Sequence, residues 1–187
     1  MLNPLIPSNG LSHQFTSFDL TRLDPEVQKI LHKLHLLRDG ISIEPIIRKI
    51  VAWSSPSEQL FYITFVYLRN GRRIDPKVHI EEQYYVATGG KEYYVDFRLS
   101  LADELFPILP PLVVFVECDS RGFHDRTPDE FDMGRERIRA LQRQGGKAYP
   151  FSRRQLLKNP EKCVIECVRD LQRDMITRRE MLMQAFL

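Results

Sequence analysis

The spacing of hydrophobic residues predicts that helices and strands alternate along this chain, after an irregular segment at residues 1–23. Helices are expected where apolar residues recur at helical spacing between a capping residue and a glycine. Strands are expected where apolar residues run together or alternate with polar ones. In order, these patterns predict helices at 24–40, 44–53 and 55–70, strands at 78–87, 92–100 and 113–119, a helix at 127–145, a strand at 148–151 and a helix from 159.

This order of elements predicts an α/β fold with a small mixed β-sheet flanked by helices. A helix separates the third and fourth strands, so these two strands should be parallel, because a parallel connection needs a crossover. The first two strands are joined by Gly89-Gly90, which is typical of an antiparallel hairpin. We expect residues 1–54 to form a helical N-terminal extension and residues 55–187 to form the core domain.

The third predicted strand carries the most informative pattern. The apolar run that begins at Val113 is typical of a strand buried on both faces, and it ends in Glu117-Cys118-Asp119. Residues two apart on a strand point to the same side, so Glu117 and Asp119 should project together, with Cys118 turned away. Ionised carboxylates at the edge of a core are unfavourable unless they are paired or bind a metal. The pattern therefore predicts a functional site at the end of this strand.

A further carboxylate is predicted inside the preceding strand. Asp96 lies between Val95 and Phe97, which we expect to face one way while Asp96 faces the other. Aspartate is disfavoured in strands, so this position needs a reason. If the two strands pair, Asp96 converges with the carboxylates of the apolar strand, and such oxygen ligands suit Mg²⁺ or Mn²⁺. The simpler interpretations are an ion pair with Arg98 and a purely structural cluster of ion pairs around Glu117.

Composition narrows the class of protein without deciding its function. The chain has 187 residues, of which 43% are hydrophobic and 28% charged, as expected for a folded domain. Its net charge of +2 permits nucleic-acid binding but does not require it. Three cysteines without a CxxC pair argue against a disulfide scaffold, and no apolar run approaches the ~18 residues of a membrane span. We expect a soluble cytoplasmic protein with no membrane partner.

Taken in order, these motifs resemble the PD-(D/E)xK nuclease superfamily, closest to its branch of very-short-patch mismatch repair endonucleases. The matching segments are Ser-Pro-Ser-Glu58, Gln83, Val95-Asp96-Phe97, Val116-Glu117-Cys118-Asp119 and His124, followed by Asp132, Arg135, Leu141, Gly145 and the strand at 148–151. The resemblance covers roughly residues 55–172. It implies a restriction-endonuclease-like core and metal-dependent hydrolysis of phosphodiester bonds in DNA, with RNA as an open alternative.

The resemblance also implies roles for the residues around the apolar strand. Asp96 and Glu117 would be ligands of Mg²⁺ or Mn²⁺, with the backbone carbonyl of Cys118 as a third ligand. Asp119 stands where the superfamily usually has lysine, so part of the role of that lysine would fall to His124. A neutral imidazole can take a proton from water, and an imidazolium can contact the phosphate. His124 as an ordinary surface residue is the simpler interpretation.

Other residues are candidates for supporting the chemistry or binding the substrate. Glu58 would contribute to the chemistry without binding the metal directly, or would only cap its helix. The candidate nucleic-acid contacts are Gln83, Lys91, Arg121, Arg135, Arg139 and Lys147. Lys91 and Arg121 are also candidates to replace the missing lysine. Gln83 is otherwise an ordinary strand residue, and Arg135 otherwise pairs with Asp132 on a helix surface.

Asp119 at the usual lysine position keeps two functions open. The first is a metal-dependent nuclease that binds nucleic acid, as a homodimer or larger complex if it cuts both strands. The second is a catalytically inactive subunit that retains the nuclease fold and binds nucleic acid or a partner protein, because a fold does not guarantee its function.

Overall fold

The computed structural model describes residues 20, 23–37, 44–53, 55–88, 90–119 and 127–185, excepting the side chains at 119, 128 and 131. Its elements are α1 (Pro25–Leu37), α2 (Glu44–Val51), α3 (Pro56–Asn70), β1 (His79–Thr88), β2 (Lys91–Leu101), β3 (Leu112–Asp119), α4 (Pro128–Gln142), β4 (Lys147–Ser152), α5 (Arg153–Lys158) and α6 (Pro160–Ala185). Each predicted element is present with bounds that differ by a few residues. The short helix α5 is an addition that the sequence did not predict.

The four strands form one mixed sheet in the order β1-β2-β3-β4. The pairs β1–β2 and β2–β3 are antiparallel, whereas β3 and β4 are parallel. This confirms the small mixed sheet and the parallel pair that the helix between β3 and β4 predicted. The apolar strand β3 is an inner strand, which explains why its sequence is hydrophobic on both faces.

Helices cover both faces of the sheet and bury a core on each. The main core lies between one face and the helices α1, α2, α3, α5 and α6, and the fully buried rings of Phe61 and Phe97 stack within it at 5.3 Å. The minor core lies under α4 on the other face and consists of Val86, Val95, Phe115 and Leu141. Removing a ring such as Phe97 from a core of this kind costs about 3–5 kcal/mol.

The N-terminal helices α1 and α2 contribute to the main core rather than standing apart from it. Val27, Leu31 and Ile47 are fully buried in the same cluster as Phe61 of α3. The helical nature of this region was expected from its sequence. Residues on both sides of position 54 share one core. The domain boundary placed there stays a prediction.

The turn from α4 into β4 depends on two glycines. Gly145 has φ +80°, a conformation that side chains other than glycine rarely adopt. A Cβ on Gly146 would lie 2.8 Å from Val113 Cγ2 and 2.9 Å from Phe115 Cε2. The backbone of this turn therefore approaches β3 closely and fixes where β4 begins.

The cysteines and the helix lengths bear on the predictions made from composition. The three cysteines are buried and free of disulfide bonds. Within the described ranges, no helix combines the length and the apolar character needed to cross a membrane.

Candidate active site

Gln83, Asp96 and Glu117 stand in one row across three neighbouring strands. The register of the β1–β2 hairpin puts Gln83 opposite Asp96. The register of β2 against β3, whose pairing ends at Phe97 with Val116, puts Asp96 opposite Glu117. The structure thus brings Asp96 and Glu117 side by side, as the sequence predicted.

The backbone pairing of β2 with β3 stops at this row. The next backbone N–H of β3 donates to a side-chain carboxylate instead of to a backbone carbonyl of β2. The backbone N–H of Cys118 donates to Oδ2 of Asp96 at 2.6 Å. A bond from an amide to an ionised carboxylate is stronger than a neutral one, so it fixes the orientation of Asp96. The N–H and C=O of one residue in an extended strand point to the same side, which directs the Cys118 carbonyl toward Asp96 as well.

The alternation of side chains is interrupted at the same row. Phe97 packs in the main core and Val95 packs in the minor core, so the expectation that these two residues face the same way is wrong. Gln83, opposite Asp96, has φ +48°, in the left-handed region that costs roughly 1–2 kcal/mol for a residue with a side chain. The hairpin changes faces here, and this local twist, which no periodicity signals, places Asp96 between the two cores.

Glu58 reaches this row from the first turn of α3. Ser55 caps the helix, which was predicted to begin at residue 55, by accepting the backbone N–H of Glu58 at 3.4 Å. The Glu58 carboxylate itself accepts a hydrogen bond from Nε2 of Gln83 at 3.0 Å. Burial and the neighbouring charge of Asp96 raise the pKa of Glu58. Glu58 therefore belongs to the carboxylate cluster as well as to the helix start.

Glu117 is the most perturbed carboxylate of the cluster. Its side chain is 16% exposed. Burial raises its pKa to about 8, with further increases from the charges of Asp96 and Glu58, while the nearby Arg137 lowers it. Asp96 raises the pKa of both Glu58 and Glu117, so the three carboxylates form a site with a deficit of positive charge, and such sites are candidates for function. We call Glu58, Asp96 and Glu117 the acidic cluster.

Arg137 of α4 is part of this site, and the sequence did not single it out. A guanidinium nitrogen lies 2.9 Å from Oε1 of Glu117, and the same nitrogen donates to the backbone carbonyl of Tyr94. The guanidinium also stands 5.8 Å from the centre of the Tyr93 ring. One signal could have identified Arg137. Leu141, four residues later and buried in the minor core, shows that this side of the helix faces the sheet.

The other basic residues predicted to bind nucleic acid lie away from the acidic cluster. Lys91 pairs with Glu136 at 2.9 Å, five residues from Asp96, which is about 17 Å along a strand. Lys147 donates to Asp174 of α6 at 2.9 Å. Arg135 and Arg139 are exposed on α4, and Asp132 is exposed on the same helix.

Several predicted site residues lie partly or wholly outside the described structure. Arg121 and His124 fall in the segment at 120–126, which is not described. Asp119 ends β3, and its backbone pairs with Ser152 of β4, but its side chain is not described. The roles proposed for these three residues stay predictions. The alternative interpretation was an ion pair between Asp96 and Arg98. Arg98 instead donates to both carboxylate oxygens of Glu81 at 3.1 Å.

The donor atoms at the cluster suit a hard divalent ion. Among the described residues, no group of three or more His, Cys, Asp or Glu side chains is arranged to hold a metal. The available ligands are instead the carboxylates of Asp96 and Glu117 and the carbonyl of Cys118, an all-oxygen set of the kind that Mg²⁺ and Mn²⁺ bind. The Cys118 thiol is buried in the main core, as predicted, which leaves only its backbone for this role.

Comparisons with known proteins provide no further guide to this site. No family model matches the chain, and neither the curated proteins nor the solved structures contain a match. The resemblance to the PD-(D/E)xK superfamily therefore stays a prediction, and the functional argument depends on the geometry of the acidic cluster.

Proposed function

We propose that this protein is a metal-dependent nuclease with a restriction-endonuclease-like core that hydrolyses phosphodiester bonds in DNA. The observation that supports the proposal most strongly is the meeting of Asp96 and Glu117 where the β2–β3 ladder opens. A structural role does not need several carboxylates in a half-buried position, where burial and the charges of Asp96 and Glu58 disfavour the ionised form of Glu117. A site that receives a cation does need them.

Asp96 and Glu117 would hold Mg²⁺ or Mn²⁺, together with the Cys118 carbonyl. When bound in such a site, the ion lowers the pKa of water and stabilises negative charge on a phosphoryl group. The bond from the Cys118 N–H holds the Asp96 carboxylate in one orientation before any ligand arrives. This preorganisation reduces the entropy lost when substrate and ion are positioned.

Glu58 is suited to handle the proton of the attacking water. Its pKa is raised by burial and by Asp96, which makes the carboxylate a stronger base than a solvated glutamate. Gln83 donates to one of its oxygens and thereby directs the other. Gln83 thus acts as a positioning residue for Glu58 in this proposal, in addition to its predicted contact with nucleic acid.

The exposed arginines of α4 are the candidate contacts to the phosphate backbone. Arg135 and Arg139 lie on the helix that carries Arg137 but about 200° around its axis, on the side turned away from the sheet, so they would contact DNA that flanks the acidic cluster. Contacts of this type make binding depend on salt concentration. Lys91 and Lys147 would have to leave Glu136 and Asp174 to take part.

Cleavage of single-stranded, duplex and mismatched DNA and of RNA, with Mg²⁺, Mn²⁺ or EDTA, tests the proposal. Asp96→Asn and Glu117→Gln should each reduce cutting by about 1000-fold or more, because each removes a charged ligand. Asparagine still offers an oxygen to the Cys118 N–H, so the variant separates chemistry from folding better than Asp96→Ala. Glu104→Gln, an exposed carboxylate paired with Lys77, is the matched control and should cut normally.

Undiminished cutting by Asp96→Asn would overturn the proposal. The second candidate is a catalytically inactive subunit that binds nucleic acid, and one contact favours it. Arg137 already supplies a positive charge to Glu117. A protein that binds DNA but neither binds Mn²⁺ nor cuts any substrate would be this inactive subunit.

A further inference from the structure

We propose that Arg137 is the phosphate-binding cation of this site, held on Glu117 when no metal is present and released to the phosphodiester when a divalent ion binds. The inference deepens the proposed nuclease function and depends on it. It assigns the missing positive charge to a helix residue that the sequence pattern did not identify. The argument has three parts, which concern position, bonding and charge.

The position of Arg137 is suitable for a phosphate held at the acidic cluster. Its guanidinium lies 2.9 Å from Glu117, and its link to the Tyr94 carbonyl anchors it over β2 as well as β3. A phosphate bound at the acidic cluster would therefore lie beside the same guanidinium. Among the described residues, Arg137 is the basic residue that forms an ion pair with Glu117.

The bonding of Arg137 is incomplete. Within the described part of the chain, Nε of Arg137 and Oε1 of Glu117 are both buried without a hydrogen-bond partner. The 2.9 Å contact between the two residues is thus a contact of charges without the alignment of a hydrogen bond. A guanidinium has five N–H donors in a planar fork that matches a phosphate. Nε itself is buried, but the Arg137 side chain is 33% exposed, so part of this fork is accessible to a phosphodiester.

The charges explain why Arg137 would change partners. Arg137 offsets part of the repulsion that Asp96 and Glu58 exert on Glu117. A divalent ion on the same carboxylates offsets that repulsion more completely and repels the guanidinium. The guanidinium is then left without a negatively charged partner. An incoming phosphodiester supplies one. Arg137 and the ion compete for Glu117 but cooperate on the phosphate.

This exchange predicts effects of opposite sign in a single variant. Arg137→Met should bind Mn²⁺ alone more tightly, by roughly tenfold in a calorimetric titration, because a competing cation is gone. The same variant should cut DNA about 100-fold more slowly with saturating Mn²⁺, because a charged donor to the phosphate is lost. Its DNA affinity in Ca²⁺ should depend less steeply on salt, by about one phosphate contact. In each of these measurements, Arg137→Lys should lie between the wild type and Arg137→Met.

Arg48→Met is the matched control, since Arg48 pairs with Glu44 on the surface of α2, and it should match the wild type in all three assays. Weaker Mn²⁺ binding by Arg137→Met, with a lowered melting temperature, would show that Arg137 only supports the fold, and would overturn the inference. Normal cutting by Arg137→Met would overturn it too, while leaving the nuclease proposal intact. Failure of the wild type to bind Mn²⁺ and cut DNA would instead contradict the nuclease proposal itself.

Discussion

Two carboxylate–arginine pairs in this protein differ in how completely they are satisfied. The buried Asp103 carboxylate accepts hydrogen bonds from Nε and Nη2 of Arg179, at 2.8–3.1 Å, and from the N–H of Leu105 at 2.9 Å. Glu117 has only a 2.9 Å contact of charges with Arg137, and its Oε1 has no hydrogen-bond partner among the described residues.

The pKa values of the two carboxyl groups move in opposite directions. Hydrogen bonds from Arg179 lower the pKa of Asp103, which stabilises its charge. Burial, with the charges of Asp96 and Glu58, raises the pKa of Glu117 to about 8. A fully bonded pair holds the end of β2 against α6, whereas the Glu117 carboxyl group keeps an oxygen without a hydrogen-bond partner among the described residues. The contrast distinguishes a structural ion pair from a candidate active site.

The largest effect we expect is an opposite dependence of stability on pH. The unfolded chain releases the Glu117 proton near pH 4.5, and the folded protein retains it to about pH 8. The free energy of unfolding should therefore fall as pH rises between these values, by up to about 5 kcal/mol at about 1.4 kcal/mol per pKa unit. Urea unfolding in EDTA measures this fall. Glu117→Gln should abolish most of it, and an equal fall in that variant would contradict the assignment.

Asp103 should show the reverse behaviour at lower pH. Its lowered pKa contributes stability that is present above about pH 3.8 and is lost as the pH falls further. At neutral pH, Asp103→Asn should lower the free energy of unfolding, because Arg179 loses its charged partner. Glu117→Gln should cause no such loss. If both variants were equally destabilised in urea, the two pairs would have the same structural role.

The smallest effect concerns the strained residue beside the acidic cluster. Gln83→Gly should relieve the positive φ of +48° and change the free energy of unfolding by no more than about 1 kcal/mol. It also removes the amide that positions Glu58, so cleavage should fall about tenfold or more. Parallel measurements of urea unfolding and cleavage test this separation. Unchanged cleavage would remove Gln83 and Glu58 from the mechanism.

The sequence predicted the elements of this site better than their local geometry. The apolar run of β3, the capping signal at Ser55 and the pairing of Asp96 with Glu117 follow from periodicity and strand order, which are properties of neighbouring residues. The change of faces at Gln83 does not, because it depends on a backbone twist. The contact of Arg137 with Glu117 depends on how α4 lies across the sheet, and only the burial of Leu141 hints at it.

The most direct test of the central claim is a calorimetric titration of the metal-free protein with Mn²⁺ near pH 8, before any substrate is added. The acidic cluster should bind one ion per chain, Asp96→Asn and Glu117→Gln should abolish binding, and Asp103→Asn should bind like the wild type. Mn²⁺ binding that survives both substitutions in the cluster, or no binding by the wild type, would contradict the proposal that these carboxylates form a metal site.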